Sequence, residues 1–127
     1  MGHDDIRVGS GSLTPRQLVA AFASLRADVT FIDAAGIVRY FSDYRIFTRP
    51  AESLGMHVEL CHSDASRARV AQLVSELATG WRDDASFIEE KDGRLVHTRY
   101  IAVRDGEEYL GCLEVAQWVD EMAPEQL

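Results

Sequence analysis

The reading of this chain turns on Arg94-Leu-Val-His-Thr-Arg-Tyr-Ile-Ala-Val-Arg104, Asp105-Gly-Glu-Glu108 and Tyr109-Leu-Gly-Cys-Leu-Glu-Val-Ala-Gln-Trp-Val119. Two β-rich runs flank a short polar turn containing Asp105-Gly106, which predicts a long hairpin. Each arm mixes polar side chains into an apolar pattern. By strand alternation His97, Arg99 and Ile101 share one face of the first arm, with Thr98 and Tyr100 on the other. In the second arm Leu113, Val115 and Gln117 stand opposite Cys112, Glu114 and Ala116. The period fixes which residues share a face but not which face is buried. Facing inward, Arg99 would offer a fork of donors to a carboxylate or phosphate; facing outward, it would pair with Glu114 or another sheet neighbour.

Working outward, a strand around Asp84–Glu90 precedes the hairpin across a Lys91-Asp92-Gly93 turn. Before that comes the clearest helix of the chain, with Val70, Leu73, Val74 and Leu77 at helical spacing, Ser63 or Asp64 to cap its front and Gly80 behind it. Residues 43–56 break the pattern, with Arg49-Pro50 forcing an extended entry to a short helical turn. Val29–Asp33 and Ile37–Ser42 are β-branched and aromatic runs separated by Ala34-Ala35-Gly36, and they predict a second hairpin. Thr14 and Pro15 start a short amphipathic helix whose stripe of Leu18, Phe22 and Leu25 can meet its own sheet or a second copy of the chain. Residues 1–12 are expected as a flexible lead, 13–121 as the folded domain and 122–127 as a frayed tail. Five strands with the helices gathered between the second and third predict an α+β fold. Its antiparallel sheet is covered on one face, and the amphipathic helix stands before it.

At 127 residues the chain suits one domain. Thirteen basic against twenty-one acidic residues give a net charge of −8. That balance argues against affinity for nucleic acid or an anionic membrane surface. Nothing resembles a signal peptide, and no window approaches the roughly 20 apolar residues of a membrane span. Cys61 and Cys112 lack metal-site spacing, so a reduced, cytoplasmic protein with free thiols is expected. There is no Gly-x-Ser-x-Gly, no phosphate-cradling glycine loop and no His-Glu-x-x-His. The acidic pairs Asp4-Asp5, Asp83-Asp84, Glu89-Glu90 and Glu107-Glu108 have the character of solvated edges. A non-catalytic protein follows. The small cone-shaped α+β isomerases are a distant alternative, with His97 as their one inviting acid or base.

Several phrases resemble the PAS domain, a small sensory module of bacterial signalling proteins. They are Asp28-Val-Thr-Phe-Ile-Asp33 with Gly36-Ile-Val-Arg-Tyr-Phe-Ser42, then Gly55-Met-His-Val-Glu-Leu-Cys-His-Ser-Asp64, then Val103-Arg-Asp-Gly106 with Tyr109-Leu-Gly111. The chain is most similar to the subgroup found alongside hemerythrin-like domains, through Arg39-Tyr-Phe-Ser42, Arg45-Ile-Phe47, Cys61-His62, His97–Asp105 and Tyr109–Gln117. It departs at Ser63, where that subgroup has proline, and at Trp118-Val-Asp120, where PAS domains commonly carry the Asp-Ile-Thr that couples the sheet to an output helix.

The resemblance implies a sensor holding a small ligand between the concave sheet and the helices of residues 44–79. Phe31, Phe41, Phe47, Leu60, Val74, Leu77, Tyr100 and Leu113 would supply its apolar wall, and His97, Arg99, His62, His57 and Gln117 its polar contacts. A heme would need one axial ligand from His57, His62, His97 or Cys61. A flavin is less expected, because the photoactive cysteine phrase is missing and only Gln117 suggests it. The implied partners are a second copy of the chain, through Leu18, Phe22 and Leu25, and a separate signalling protein. The rival reading is a ligand-free dimerisation or docking domain.

Overall fold

The computed structural model describes residues 4–48, 50–58 and 64–125. Strands β1 (Ile6–Val8) and β2 (Gly11–Leu13) form a small hairpin. The segment expected to be a flexible lead is therefore partly ordered: Gly9, at a φ of +56°, makes the tight turn that lets the β-branched Ile6 and Val8 pair back. Helix α1 (Pro15–Ala23) follows. Thr14 Oγ1 accepts from the Gln17 N–H and Gln17 Oε1 accepts from the Thr14 N–H, both at 3.0 Å, a reciprocal capping box. None of α1 is buried. Leu18 is half-buried, Phe22 is exposed but packs its ring at a tilt against Tyr40, 5.3 Å between centroids, and Leu25 lies beyond the helix end.

The main sheet is antiparallel in the order β4-β3-β7-β6-β5, built from β3 (Asp28–Asp33), β4 (Val38–Phe41), β5 (Asp84–Lys91), β6 (Arg94–Asp105) and β7 (Glu108–Trp118). First and last strands meet at the centre, with Phe31 opposite Leu113 and Ile32 opposite Cys112. Gly111 has a reason at this seam. Its φ is +148°, and a Cβ there would collide with the Ile32 carbonyl oxygen.

Helix α2 (Asp64–Thr79) lies on the concave face. Its Val70, Leu73 and Leu77 are buried with Ile32, Val38, Val58, Tyr100 and Cys112, and Val74 packs beside them. Arg104 Nη2 donates to the Leu77 carbonyl at 2.5 Å, so a strand side chain caps the C-terminal end of the helix. A second cluster of Ile46, Val96 and Ala116, with Tyr44, Phe47 and Trp118 against it, fills the other end of the same face.

The linker after β4 is held by a buried ion pair. Asp28, 3% exposed, meets Arg45 Nη1 at 2.6 Å. Its other oxygen accepts from the Ile46 and Phe47 N–H groups at 3.0 and 2.8 Å. Arg45 in turn donates to the Phe47 carbonyl. A carboxylate buried at the sheet centre is tolerable when charge and backbone donors meet it together, and this set fixes the position of Phe47.

At the end of β7 the chain turns through Val119–Glu121. Arg94 lies 3.9 Å over the Trp118 ring and forks onto Asp120 at 2.8 and 2.6 Å. It also reaches Glu121, which takes Arg26 and the Tyr44 hydroxyl as well. This clasp is open to solvent. Hydrogen bonding to Arg94 holds the Asp120 carboxyl below its ordinary range, and Arg26 followed by Arg94 does the same for Glu121. Among the described residues no helix is long and apolar enough to cross a membrane.

Candidate functional site

A cavity of about 590 Å³ opens between α2 and the concave face. That volume lies within the range of small-molecule sites. Five segments build it. The pinned linker brings Phe47 and Thr48, α2 brings Ser66, Arg69, Val70 and Leu73, and β5 brings Phe87, Ile88, Glu89 and Lys91. From the sheet centre come Thr98 and Tyr100 of β6 and Glu114 of β7. Tyr100 stands directly opposite Glu114 in the strand pairing, and Thr98 two pairs further along opposite Ala116.

The floor is polar and buried. Thr98 is 6% exposed and Glu114 5%. The Thr98 hydroxyl has no hydrogen-bond partner among the described residues. Leaving a buried hydroxyl unsatisfied costs about 1–3 kcal/mol, which a ligand atom or water can recover. Aromatic rings wall the cavity, with Phe87 edge-on to Tyr100 at 6.4 Å. Two cations sit over rings at the mouth: Arg69 is 6.0 Å from the Phe87 centroid and Lys91 is 5.9 Å from that of Phe47.

Of the residues expected from the sequence, Phe47 and Tyr100 line this cavity. His97 and Arg99 do not. Val96, Thr98 and Tyr100 take the inward positions of β6, so alternation turns His97 and Arg99 to the convex face. There Arg99 pairs with Asp84 at 2.6 Å, both about half exposed. The same register puts Leu113 and Gln117 on the convex face, opposite Ile101 and His97, and Phe31 opposite Leu113. Gln117 therefore faces away from any group in the cavity. His57 is placed elsewhere again: it bridges to Ile37, and its ring packs where a Cβ on Gly36 would be, only 2.6 Å from Nε2. Val74, Leu77 and Phe41 belong to the packed core rather than the cavity wall. Leu60, Cys61 and His62 lie outside the described residues. None of the described histidines lines the cavity, and no described cluster of three acidic, histidine or cysteine side chains could hold a metal. The buried Cys112 thiol is pushed up to about 12 by burial and then by Glu114, which keeps it protonated.

The sequence reading missed Thr98, Glu114, Arg69, Phe87 and Lys91 as site residues. The available signal was register. Once Tyr100 is taken as inward, Thr98 must be inward too, and cross-strand pairing carries Glu114 with them.

A five-stranded antiparallel sheet in this order, first and last strands central and the helix on its concave face over a cavity, defines a class of sensory α+β domains. The chain belongs to the PAS domain family, whose family model matches residues 18–119. It is similar to the C-terminal domain of a Streptococcus mutans protein, at 27% identity and a TM-score of 0.85 over 92% of this chain and 93% of that one. A sensory box sensor histidine kinase from Vibrio cholerae shares 9% identity at a TM-score of 0.59, over 82% and 91% of the two chains. VqmA of Vibrio cholerae, in a structure described as bound to DPO, shares 14% identity at 0.61 over 82% and 57%. No curated protein matches the sequence. Members of the PAS family serve as sensory modules, among them modules of histidine kinases.

Proposed function

We propose that this chain is a cytoplasmic, non-catalytic sensory module that binds a small organic molecule between α2 and the concave face of its sheet. The observation that carries the reading is the Thr98 hydroxyl, buried beside a roughly 590 Å³ cavity and without a partner among the described residues. An atom of a bound molecule, or an ordered water, would satisfy this hydroxyl in a space large enough for a ligand. The similar fold of VqmA, described as bound to DPO, is compatible with a PAS cavity of this kind taking a small molecule. Occupancy would be reported by a shift between two states of different ligand affinity. The Phe47 linker and the C-terminal clasp are the segments in line to carry it, since both touch the floor strands β6 and β7 or their ends.

Native mass spectrometry of the purified protein, with its absorbance spectrum, tests the reading. A retained small molecule, or saturable binding that raises the melting temperature, supports it. A colourless protein that retains nothing and whose melting temperature no small molecule moves contradicts it, and favours a second function. That second function is homodimerisation or docking on a signalling partner through α1, and it draws on the exposure of Val19, Phe22 and Leu25. A chain lacking residues 1–26 should then change its mass in solution.

A further inference from the structure

The polar groups of the cavity lining differ in how far the protein has already used them. Glu114, Tyr100 and Ser66 are engaged within the protein. Lys91 is shared with Asp92 at 3.5 Å, and Glu89 is exposed to solvent. Two groups stand apart from these. At the floor, the Thr98 hydroxyl is buried at 6% exposure and has no hydrogen-bond partner among the described residues. At the mouth, Arg69 lies 6.0 Å from the Phe87 centroid and meets no carboxylate among the described residues. The apolar wall is formed by Val70 and Leu73 of α2 with Phe47 of the linker. Phe87 and Tyr100 meet edge to face at 6.4 Å, which leaves no slot for a flat ring between them.

Resting on the ligand-binding reading above, we infer that the site takes a monocarboxylic acid with a flexible aliphatic body and a hydroxyl or carbonyl oxygen at its far end. The carboxylate meets the Arg69 guanidinium, whose forked N–H groups match its two oxygens. One cation without an acid partner serves one carboxylate, and a dianion would carry its second charge toward Glu89 or the buried carboxyl group of Glu114. The aliphatic body lies along Val70, Leu73 and Phe47. The far oxygen reaches Thr98, which can donate or accept, and removes the penalty of sealing that hydroxyl unpaired. Arg69 thus selects for charge, and Thr98 selects between acids with and without that oxygen.

Calorimetric titration of the full chain tests this with four probes: 8-hydroxyoctanoate, octanoate, 1-octanol and octylammonium. Octanoate is expected to bind about 10-fold more tightly than octanol or octylammonium, a difference of about 1.4 kcal/mol. The hydroxy acid should bind several-fold more tightly again. Arg69→Met should weaken both acids about 10-fold and leave octanol unchanged. Thr98→Val should abolish the preference for the hydroxy acid and leave octanoate as it was. Arg69 is exposed and Thr98→Val keeps the shape of the floor, so circular dichroism of both variants should match the parent. Octanol or octylammonium binding as tightly as octanoate overturns the ligand class while leaving a ligand-binding pocket in place. So does acid binding that Arg69→Met does not weaken, or a retained molecule without an acid group. If none of the four binds and nothing is retained, the pocket reading itself falls.

Discussion

The two faces of the β6–β7 hairpin carry similar side chains and do different things with them. On the convex face, Arg99 and Asp84 form an ion pair in water, and His97 stands opposite Gln117. On the concave face, one residue along, Thr98 and Glu114 are almost wholly buried at the floor of a cavity. An exposed pair of charges is worth little, because water screens it and ordering two long side chains opposes it. A buried carboxyl or hydroxyl is expensive to keep, so its presence calls for a reason. The lesson is that polarity in a strand has no meaning until its face is known.

Substitutions can break this contrast, and the largest effect should come from the buried ion pair that positions Phe47. Asp28→Ala takes the carboxylate from Arg45 and removes the acceptor for two backbone N–H groups. It should lower stability by about 3–5 kcal/mol in a urea melt. Leu77→Ala, in the closed half of the concave face, should cost about 2–5 kcal/mol by leaving a cavity under α2. In the ligand-free protein Thr98→Val should be neutral or stabilising by up to about 1 kcal/mol, because it removes a hydroxyl with no described partner. Arg99→Ala, the same kind of change one residue away, should destabilise by less than about 1 kcal/mol and leave ligand binding as it was.

The smallest effect belongs to the C-terminal clasp. Asp120 and Glu121 titrate below their ordinary values because they hydrogen-bond to Arg94 and Arg26. A carboxyl whose folded value is lowered stabilises the fold above its unfolded value, and that stabilisation is lost as pH falls through the folded one. The Trp118 fluorescence, with Arg94 3.9 Å over its ring, should therefore stay constant from neutral pH down to the ordinary carboxylate range and change only below it. In Arg94→Met that acid-side change should vanish.

Much of the fold was readable from the sequence because its signals are local. Thr14-Pro15 capped α1, Gly80 ended α2, and the Asp105-Gly106 turn joined the two longest strands. The site was less readable. Alternation sorted Thr98 from Arg99 correctly, but the choice of the buried face depends on where α2 lands, which is a long-range contact. His57 illustrates the same limit. It stands in a family-like phrase, yet its position is set by Gly36, 21 residues earlier, whose missing side chain makes room for the ring. The order at Ile6–Val8 went unread because three-residue strands carry too short a period to recognise.

The central claim is that ligand meets the concave face and not the convex one. Methyl-resolved NMR of the full chain, titrated with a small molecule that saturably raises its melting temperature, tests it most directly. The account predicts that the methyl signals of Thr98, Val70 and Leu73 move together and saturate, while those of Ile101, Leu113 and Val115 stay in place. Saturating shifts at Ile101, Leu113 and Val115 with Thr98 unmoved would contradict it.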